Sequence, residues 1–228
     1  MRAVGLHVEL GGVEIIRGVD LQVEIGSVVG VLGPSGAGKT TLFRALMGEL
    51  RARSGRVFLR DEEVTKYPLW RRARAGMGYV PQTPSVLFDL TVRRNIRTFE
   101  AAARVVREPA ERRAELVGLE QRMDVTAGEL SGGERRRLEL LRAVIAKPNV
   151  LICDEPLTGV DPAGAGQIGR LLRSQAARGA SVILADHRIR EALPFCDEAL
   201  LLIDGRIEVV APPDAFAEHS AVRERYLG

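Results

Sequence analysis

The sequence predicts an α/β fold built on a parallel sheet, and three observations support this prediction. Residues 28–32, 150–153 and 181–185 are continuous apolar runs, as in parallel strands that are covered on both faces. Segments with helical apolar spacing alternate with these runs, which implies right-handed crossovers between parallel strands. The chain has 228 residues, of which 46% are hydrophobic and 28% charged, so one soluble domain with a full core is expected.

The remaining elements follow from shorter patterns. Residues 4–10 and 19–25 alternate apolar and polar residues, as strands with one solvated face do. Asp204 and Gly205 give a strong hairpin signal between two apolar segments. In chain order, the further predicted strands are residues 4–10, 19–25, 56–59, a short strand that ends near Pro81, 199–203 and 206–210; the predicted helices are residues 41–47, 91–118 with a break at Pro109, 164–177 and part of 212–228.

A polar segment in the middle of the chain predicts an inserted helical subdomain. Residues 91–118 are rich in Ala, Arg and Glu and have a helical pattern. We interpret residues 84–141 as this subdomain, and residues 1–83 together with 142–228 as the core. The whole chain, residues 1–228, is then a single domain with one insertion.

One glycine-rich stretch organises the chain. Residues 33–40 follow the apolar run 28–32 and precede a helical segment, which is the context of a phosphate-binding P-loop. The glycines let successive N–H groups point at phosphate oxygens, and the helix N-terminus adds partial positive charge. Lys39 can reach the β- and γ-phosphates, and the Thr40 hydroxyl can ligate Mg²⁺. The predicted nucleotide-binding residues of this loop are Gly33, Pro34, Ser35, Gly36, Ala37, Gly38, Lys39, Thr40 and Thr41.

A pair of acids lies at the end of another apolar strand. Asp154 and Glu155 directly follow residues 150–153. A carboxylate at the end of a buried strand beside a P-loop can hold Mg²⁺ through water, which is the role expected of Asp154. Glu155 is placed to polarise the attacking water as a general base. Two acids that only cap a turn are the alternative, and the P-loop in the same chain disfavours it.

Composition and charge exclude several other classes. The net charge of +3 comes mostly from arginine, and the arginine-rich stretches 71–74 and 135–137 are predicted to be solvated helix faces rather than nucleic-acid contacts. Cys153 and Cys196 lie in apolar settings without metal-ligand spacing, so buried packing is expected. No apolar run approaches the roughly 20 residues of a membrane span, and no signal peptide opens the chain, so a cytosolic protein is expected.

The order of three motifs carries a family resemblance. Residues 130–134, Leu-Ser-Gly-Gly-Glu, open a predicted helix between the P-loop and the acid pair. In this order the sequence resembles, over essentially its whole length, the ATP-binding cassette ATPases that power transporters. The resemblance implies a P-loop NTPase fold with a RecA-like parallel core, an antiparallel β subdomain and an inserted helical subdomain. It also implies that Ser131, Gly132, Gly133 and Glu134 bind ATP held by a second protomer, so that two ATP lie at a dimer interface.

Other positions match the same family one by one. Gln82 is similar to the glutamine that senses Mg²⁺ and the attacking water while linking the two subdomains. Asp161 is similar to the aspartate that reaches across the dimer, and His187 to the histidine that contacts the γ-phosphate. Leu10 occupies the position where the family usually stacks an aromatic ring on adenine. An aliphatic side chain at this position predicts weaker binding of adenine, whereas the binding of the phosphates by the P-loop should be unchanged.

The resemblance also implies partners and a location. Several stretches, including residues 186–193 and 222–228, look like the lipopolysaccharide-export branch of the family. The branched-chain amino acid import ATPases share much of the same sequence. Either branch implies a homodimer or a pair with a second ABC ATPase, bound to polytopic membrane subunits on the cytoplasmic face of the cell membrane. Residues 84–90 are expected either to receive a helix of such a subunit or to form ordinary core. A soluble cluster-assembly ATPase is the alternative from a different class.

Overall fold

The computed structural model describes residues 1–105 and 108–227 of the chain, and its strands and helices have the following bounds. The strands are β1 (Arg2–Leu10), β2 (Val13–Gln22), β3 (Val28–Leu32), β4 (Ser54–Leu59), β5 (Glu62–Glu63), β6 (Met77–Val80), β7 (Val150–Asp154), β8 (Ser181–Ala185), β9 (Glu198–Ile203) and β10 (Arg206–Ala211). The helices are α1 (Lys39–Leu46), α2 (Leu69–Arg74), α3 (Val92–Ala103), α4 (Ala110–Glu115), α5 (Gly132–Ile145), α6 (Pro162–Ala177), α7 (Ile189–Ala192), α8 (Pro213–Glu218) and α9 (Ser220–Val222).

A six-stranded sheet forms the centre of the molecule. Its strand order is β10-β9-β3-β8-β7-β6, and every neighbouring pair except β10 and β9 is parallel. All residues of β3, β7 and β8 are buried, because helices and the second sheet cover both faces. The parallel α/β core and the three apolar runs that predicted it are confirmed.

A smaller antiparallel sheet packs beside this core. Its order is β2-β1-β4-β5, and Leu6, Val8 and Ile16 point into the shared apolar core. The hairpin between β9 and β10 meets β2, where the Arg17 N–H donates to the Gly205 carbonyl at 2.9 Å. A Cβ at Gly205 would lie 1.9 Å from the Ile15 carbonyl oxygen, so only glycine allows this close approach.

The second predicted strand has the wrong bounds. The alternation placed it at residues 19–25, whereas β2 spans Val13–Gln22. Adjacent Ile15 and Ile16 break the apolar–polar alternation, and an irregularity between Val8 and Glu9 of β1 accommodates them. Beyond β2 the chain turns toward β3, and the Ser27 N–H donates to the Glu24 carbonyl.

The predicted inserted segment is helical. Residues 91–118 contain α3 and α4, and Pro109, where a break was predicted, directly precedes α4. Thr91 caps α3 by accepting a hydrogen bond from the Arg94 N–H. Residues 106 and 107 of this segment, and residue 228 of the predicted C-terminal tail, lie outside the described residues. Among the helices that the structure does describe, none is long and apolar enough to cross a membrane.

The arginine-rich stretches are not simply solvated faces, which corrects that prediction. Arg72 is only 3% exposed and Arg136 only 6%. The Arg72 guanidinium donates to the carbonyls of Ala45, Thr65 and Tyr67, and burial lowers its pKa to about 10. Both arginines therefore serve as internal donors to backbone carbonyls. The prediction for the two cysteines is confirmed, since both thiols are free and buried.

Candidate functional site

An open pocket of about 660 Å³ lies where the central strands end. Its walls come largely from segments that follow β3, β6, β7 and β8, which are neighbours in the parallel sheet. Ligands of open α/β sheets bind in this position, beyond the carboxyl ends of the strands. The pocket is lined by Leu10, Ile15, Ser35, Gly36, Gly38, Lys39, Thr40, Thr41, Gln82, Glu155 and His187. The structure thus brings together most residues that the sequence singled out, and adds Ile15.

The P-loop has the backbone conformation that its glycines predict. Gly36 and Gly38 adopt positive φ angles of 80° and 105°, and a Cβ at Gly38 would lie 2.9 Å from the Ile16 side chain. The Lys39 ammonium donates to the carbonyls of Gly33 and Pro34 at 2.7 and 2.8 Å. Lys39 and Thr40 begin α1 and line the pocket, and the N–H groups of the first turn of a helix have no partner within the helix.

Nearby acids offset part of the effect of burial on the lysine. Burial lowers the pKa of the Lys39 ammonium, whereas the carboxylates of Glu155, Asp154 and Asp186 raise it. The cation therefore lies among the acids that follow β7 and β8. This is the electrostatic arrangement of a site that holds a polyanion together with a divalent cation.

Asp154 ends β7 as a buried acid near the Thr40 hydroxyl. It is 1% exposed, and among the described residues neither carboxylate oxygen makes a hydrogen bond of ordinary geometry, although the Thr40 hydroxyl is close enough to favour the charged form. Burial raises its pKa, and the Glu155 carboxylate adds to this rise, while Thr40, Arg136 and Lys39 oppose it. An unsatisfied carboxylate inside a protein is unfavourable by itself, so this group is available for a cation.

Glu155 and His187 face each other across the ends of β7 and β8. Glu155 has a positive φ of 52°, which is uncommon outside glycine, and its N–H donates to the Ala185 carbonyl at 2.7 Å. Its carboxylate accepts a hydrogen bond from the Thr158 hydroxyl at 3.0 Å. His187 Nδ1 lies 3.6 Å from the same carboxylate. The two side chains therefore converge on one side of the pocket.

The Ser-Gly-Gly turn lies elsewhere. Ser131 and Glu134 form a capping box at the start of α5, in which each side chain accepts a hydrogen bond from the other residue's backbone N–H. Residues 131–134 of this turn, all of which the structure describes, do not line the pocket. It instead approaches the segment before α6, since a Cβ at Gly133 would lie 3.6 Å from the Val160 Cα. Asp161 caps α6 by accepting from the Gly164 N–H at 2.6 Å.

Comparison with known proteins gives the family of this chain. The family model described as ABC transporter matches residues 16–158. This range contains the P-loop, Gln82, the Ser-Gly-Gly turn and the acid pair. The chain belongs to the ABC transporter family. It is an ATP-binding and ATP-hydrolysing cassette of that family, and the resemblance of the sequence is confirmed.

Individual relatives of this ABC cassette cover almost its whole length. The "Lipopolysaccharide export system ATP-binding protein LptB" of Acidithiobacillus ferridurans is 39% identical over 94% of this chain and 90% of its own length. The protein of that name from Escherichia coli K12 is 34% identical, over 95% and 92%. A "Probable ABC transporter ATP-binding protein" of Azorhizobium caulinodans is also 39% identical, over 100% of this chain and 83% of its own.

Solved structures agree on the fold. The ADP conformation of MJ1267, an ATP-binding cassette of an ABC transporter, superposes with a TM-score of 0.88 at 26% identity, over 100% of this chain and 98% of that one. The dimeric cassette MJ0796 bound to ADP and phosphate has a TM-score of 0.82 at 22% identity, over 93% and 98%. These likenesses confirm the predicted fold class of a P-loop NTPase cassette.

Arg136 connects the cassette's elements in a way the sequence did not indicate. Its guanidinium donates to the Pro81 carbonyl at 2.7 Å, beside Gln82, and to the Asp154 carbonyl. It also pairs with buried Glu139 at 2.7 Å. The helix that begins at the Ser-Gly-Gly turn is thereby hydrogen-bonded to the two adjacent segments that lead to Gln82 and Glu155. The run of three arginines gave no signal for this role, because periodicity alone does not say which of them points inward.

Asp186 is a second residue that the sequence reasoning did not assign. It is fully buried between β8 and His187, and its carboxylate accepts hydrogen bonds from the Leu157 and Arg188 N–H groups, each at 2.9 Å. Burial raises its pKa, and these two backbone donors oppose the rise. Asp186 thus holds the loop that carries His187 against the loop that follows Glu155. Its position directly before the histidine was the available signal.

Proposed function

We propose that this cassette is the ATPase subunit of a lipopolysaccharide exporter, acting with separate membrane subunits. The observation that carries the proposal is the similarity to lipopolysaccharide-export ATPases at 39% and 34% identity, over at least nine-tenths of each chain. Cassettes of transporters for other substrates share the same nucleotide site, so the substrate is argued from this similarity and not from the pocket.

The P-loop would hold the ATP phosphates. Its N–H groups and the Lys39 ammonium are the donors, and Lys39 exchanges its bonds to the Gly33 and Pro34 carbonyls for phosphate oxygens. Leu10 and Ile15 offer the adenine an apolar wall without an aromatic face. Phosphate contacts therefore supply most of the affinity for the nucleotide.

Thr40 and Asp154 would hold Mg²⁺. Two side chains would be sufficient, because Mg²⁺ bound with a nucleotide takes most of its ligands from phosphates and waters. Asp154 fits, because both of its oxygens are buried without a hydrogen-bond partner among the described residues. When bound, Mg²⁺ neutralises charge on the β- and γ-phosphates. Gln82, which lines the same pocket, is proposed to sense the cation and the attacking water.

Glu155 would be the general base and His187 a γ-phosphate contact. The positive φ of Glu155 and the hydrogen bond from Thr158 orient its carboxylate toward the pocket. A carboxylate in that place accepts the proton of the attacking water, and the donors around the γ-phosphate stabilise the developing charge. The 3.6 Å separation of Glu155 and His187 supports the proposal that both groups act at the γ-phosphate.

The active unit would be a dimer that encloses two ATP molecules. Ser131, Gly132, Gly133 and Glu134 lie outside the pocket wall formed by their own chain, at a helix N-terminus suited to bind phosphate. A second cassette would bring its ATP to this turn, with Asp161 beside the interface. Closure on ATP and opening after hydrolysis would provide the motion that drives transport.

The membrane subunits would dock near residues 84–90, placing the cassette on the cytoplasmic face of the membrane. Val86 is buried in the core, whereas Leu87 and Phe88 are 37% and 43% exposed. The Ser85 N–H donates to Glu139 at 2.8 Å, so this segment is tied to the helix that Arg136 connects to the pocket. A helix received here would therefore sense movement of α5. We further propose that residues 84–141 act as the inserted subdomain.

Copurification from detergent-solubilised membranes of the source organism tests the assignment. We expect two polytopic partners with large periplasmic domains. Partners of the amino-acid permease type would change the assignment to import. Recovery of soluble partners alone would contradict a transport role and favour cluster assembly.

Two variants test the chemistry separately. Glu155→Gln should trap ATP in a stable dimer, detected by gel filtration with bound nucleotide, because binding is intact and water activation is lost. A Glu155→Gln protein that stays monomeric with normal turnover would contradict the base assignment. Lys39→Ala should abolish tight ATP binding measured by titration calorimetry, and retained affinity would refute the phosphate-binding role.

A further inference from the structure

The last described turn of the chain packs against the loop that carries His187. Arg223–Leu227 form a short π-helical turn after α9. Tyr226 in this turn packs against an apolar cluster that contains Leu32 and Ile189. Leu32 is the residue before the P-loop, and Ile189 follows His187 by two positions. The C-terminal turn therefore joins the two strand ends that carry the phosphate loop and the histidine.

The phenol of Tyr226 lies beside backbone atoms of both loops. Its hydroxyl donates to the Asp186 carbonyl oxygen at 3.4 Å. Burial raises the pKa of this phenol, the backbone of Gly33 opposes the rise, and the Asp186 and Glu155 carboxylates add to it. One oxygen atom thus contacts the residue before His187 and lies close to the first glycine of the P-loop.

The position of the His187 ring depends on its backbone. The side chain is 56% exposed, and its Nδ1 is 3.6 Å from Glu155 and 3.9 Å from Asp186, too far for a hydrogen bond to either. Within the described residues the ring has no hydrogen bond of its own. The ring therefore follows the backbone between Asp186 and Arg188, which fixes the point from which the side chain extends.

These two neighbours are held from several sides. The Asp186 carboxylate binds the Leu157 and Arg188 N–H groups, and the Arg188 guanidinium donates to the Leu157 and Val160 carbonyls, each at 2.8 Å. These bonds tie the loop to the segment after Glu155. Tyr226 adds a bond to the carbonyl of Asp186 from a different part of the chain.

We propose that Tyr226 is a positioning residue for His187 in ATP hydrolysis, acting through the Asp186 carbonyl. The inference rests on the proposed role of His187. Loss of the hydroxyl frees the backbone directly before the histidine, so hydrolysis slows. The bonds of Lys39 and the amides of α1 are unchanged, so ATP binding is retained.

Tyr226→Phe tests this, since it removes one oxygen and keeps the packed ring. Tyr67→Phe is the matched control, because its hydroxyl donates to exposed Glu62 at 2.6 Å, in a segment that does not line the pocket. In the full chain we measure kcat and KM for MgATP, the melting temperature, and the imidazole signals in ¹H–¹⁵N NMR spectra. For Tyr226→Phe we expect a kcat that is lower by about two- to five-fold, since a hydrogen bond as long as 3.4 Å belongs in the lower part of the usual range of contributions.

The remaining readouts separate positioning from a structural role. KM for ATP should match that of the unchanged chain, the melting temperature should fall by no more than about 4 °C, and the His187 imidazole signals should shift. The control should move none of these quantities. An unchanged kcat together with unchanged His187 signals would overturn the inference, as would parallel losses of stability, kcat and ATP affinity.

A further variant distinguishes this inference from the proposed function. If His187→Ala hydrolyses ATP at the full rate, the proposed role of the histidine fails, and the inference fails with it. If His187→Ala is impaired while Tyr226→Phe behaves like the unchanged chain, only the role of Tyr226 is refuted. The NMR signals decide the positional part even where turnover of the isolated cassette is slow.

Discussion

Replacing Arg136 by methionine should be strongly destabilising. The guanidinium is only 6% exposed and binds two carbonyls, those of Pro81 and Asp154, as well as the Glu139 carboxylate. Methionine fills much of the aliphatic volume but leaves Glu139, itself 4% exposed, with an uncompensated buried charge. Breaking a buried ion pair from one side costs about 3–5 kcal/mol. Against a total stability of about 5–15 kcal/mol, this is a large fraction.

Urea unfolding of three variants measures this effect. Arg136→Met should lose about 3–5 kcal/mol, and adding Glu139→Gln should recover part of it, because Gln still accepts from the Ser85 N–H without a charge. Arg53→Met is the control. Arg53 pairs with Glu9 at 3.1 Å but is 67% exposed, so its loss should not change stability measurably.

Two results would refute the reasoning. If Arg136→Met costs less than about 1 kcal/mol, the pair and its carbonyl bonds do not stabilise the fold as their burial indicates. If Glu139→Gln recovers nothing in the double variant, the cost does not come from the charge left behind. We also expect the folded Arg136→Met protein to lose ATPase activity, because the carbonyls of Pro81, beside Gln82, and of Asp154 are no longer held by the guanidinium.

Three further predictions follow from buried or exposed groups. Asp154→Asn should raise the melting temperature of the nucleotide-free protein at pH 7.5, because burial raises the pKa of the Asp154 carboxyl and its charged form destabilises the fold. The rise in melting temperature should disappear as the pH falls below 3.8, the pKa of this carboxyl in the unfolded chain. A lower melting temperature of the variant at pH 7.5 would contradict this reasoning. Cys153 and Cys196, whose pKa values burial raises to about 12, should react with a thiol reagent only after unfolding, and rapid labelling of the native protein would disprove their burial. Leu10→Tyr should tighten ATP binding, measured by calorimetry, by about two- to ten-fold, because the new ring can stack on adenine. Binding of tripolyphosphate, which has no base, is the control and should not change. An equal gain in affinity for both ligands would exclude stacking on adenine.

Much of the fold and most of the pocket could be predicted from the sequence. Buried parallel strands are apolar throughout, so β3, β7 and β8 were visible as uninterrupted runs. The glycine loop, Glu155 and His187 each follow one of these strands, and strands of one parallel sheet end at one edge. Their meeting in one pocket was therefore a consequence of topology.

What could not be predicted depends on contacts between distant segments. The bounds of β2 are set by its pairing with β1 and by an irregularity there, which alternation alone does not report. Arg136 is an internal donor because Pro81 and Asp154 present carbonyls to it, although the sequence places it among three arginines. The contact of Tyr226 with Asp186 joins residues 40 positions apart, and no local pattern indicates it.

The order of the strands has a consequence for how the pocket can move. The strands that carry the P-loop, His187 and Glu155 are consecutive in the middle of the sheet, whereas β6, which leads to Gln82, lies at its edge. With strands about 4.8 Å apart, three spacings put β6 about 14 Å from β3. Among the described strands β6 pairs only with β7, and Arg136 of α5 links the Pro81 carbonyl after β6 to the Asp154 carbonyl at the end of β7. We therefore expect a displacement of α5 to move Gln82 relative to the P-loop, Glu155 and His187, because the strands before those three groups are held to one another by their own ladders.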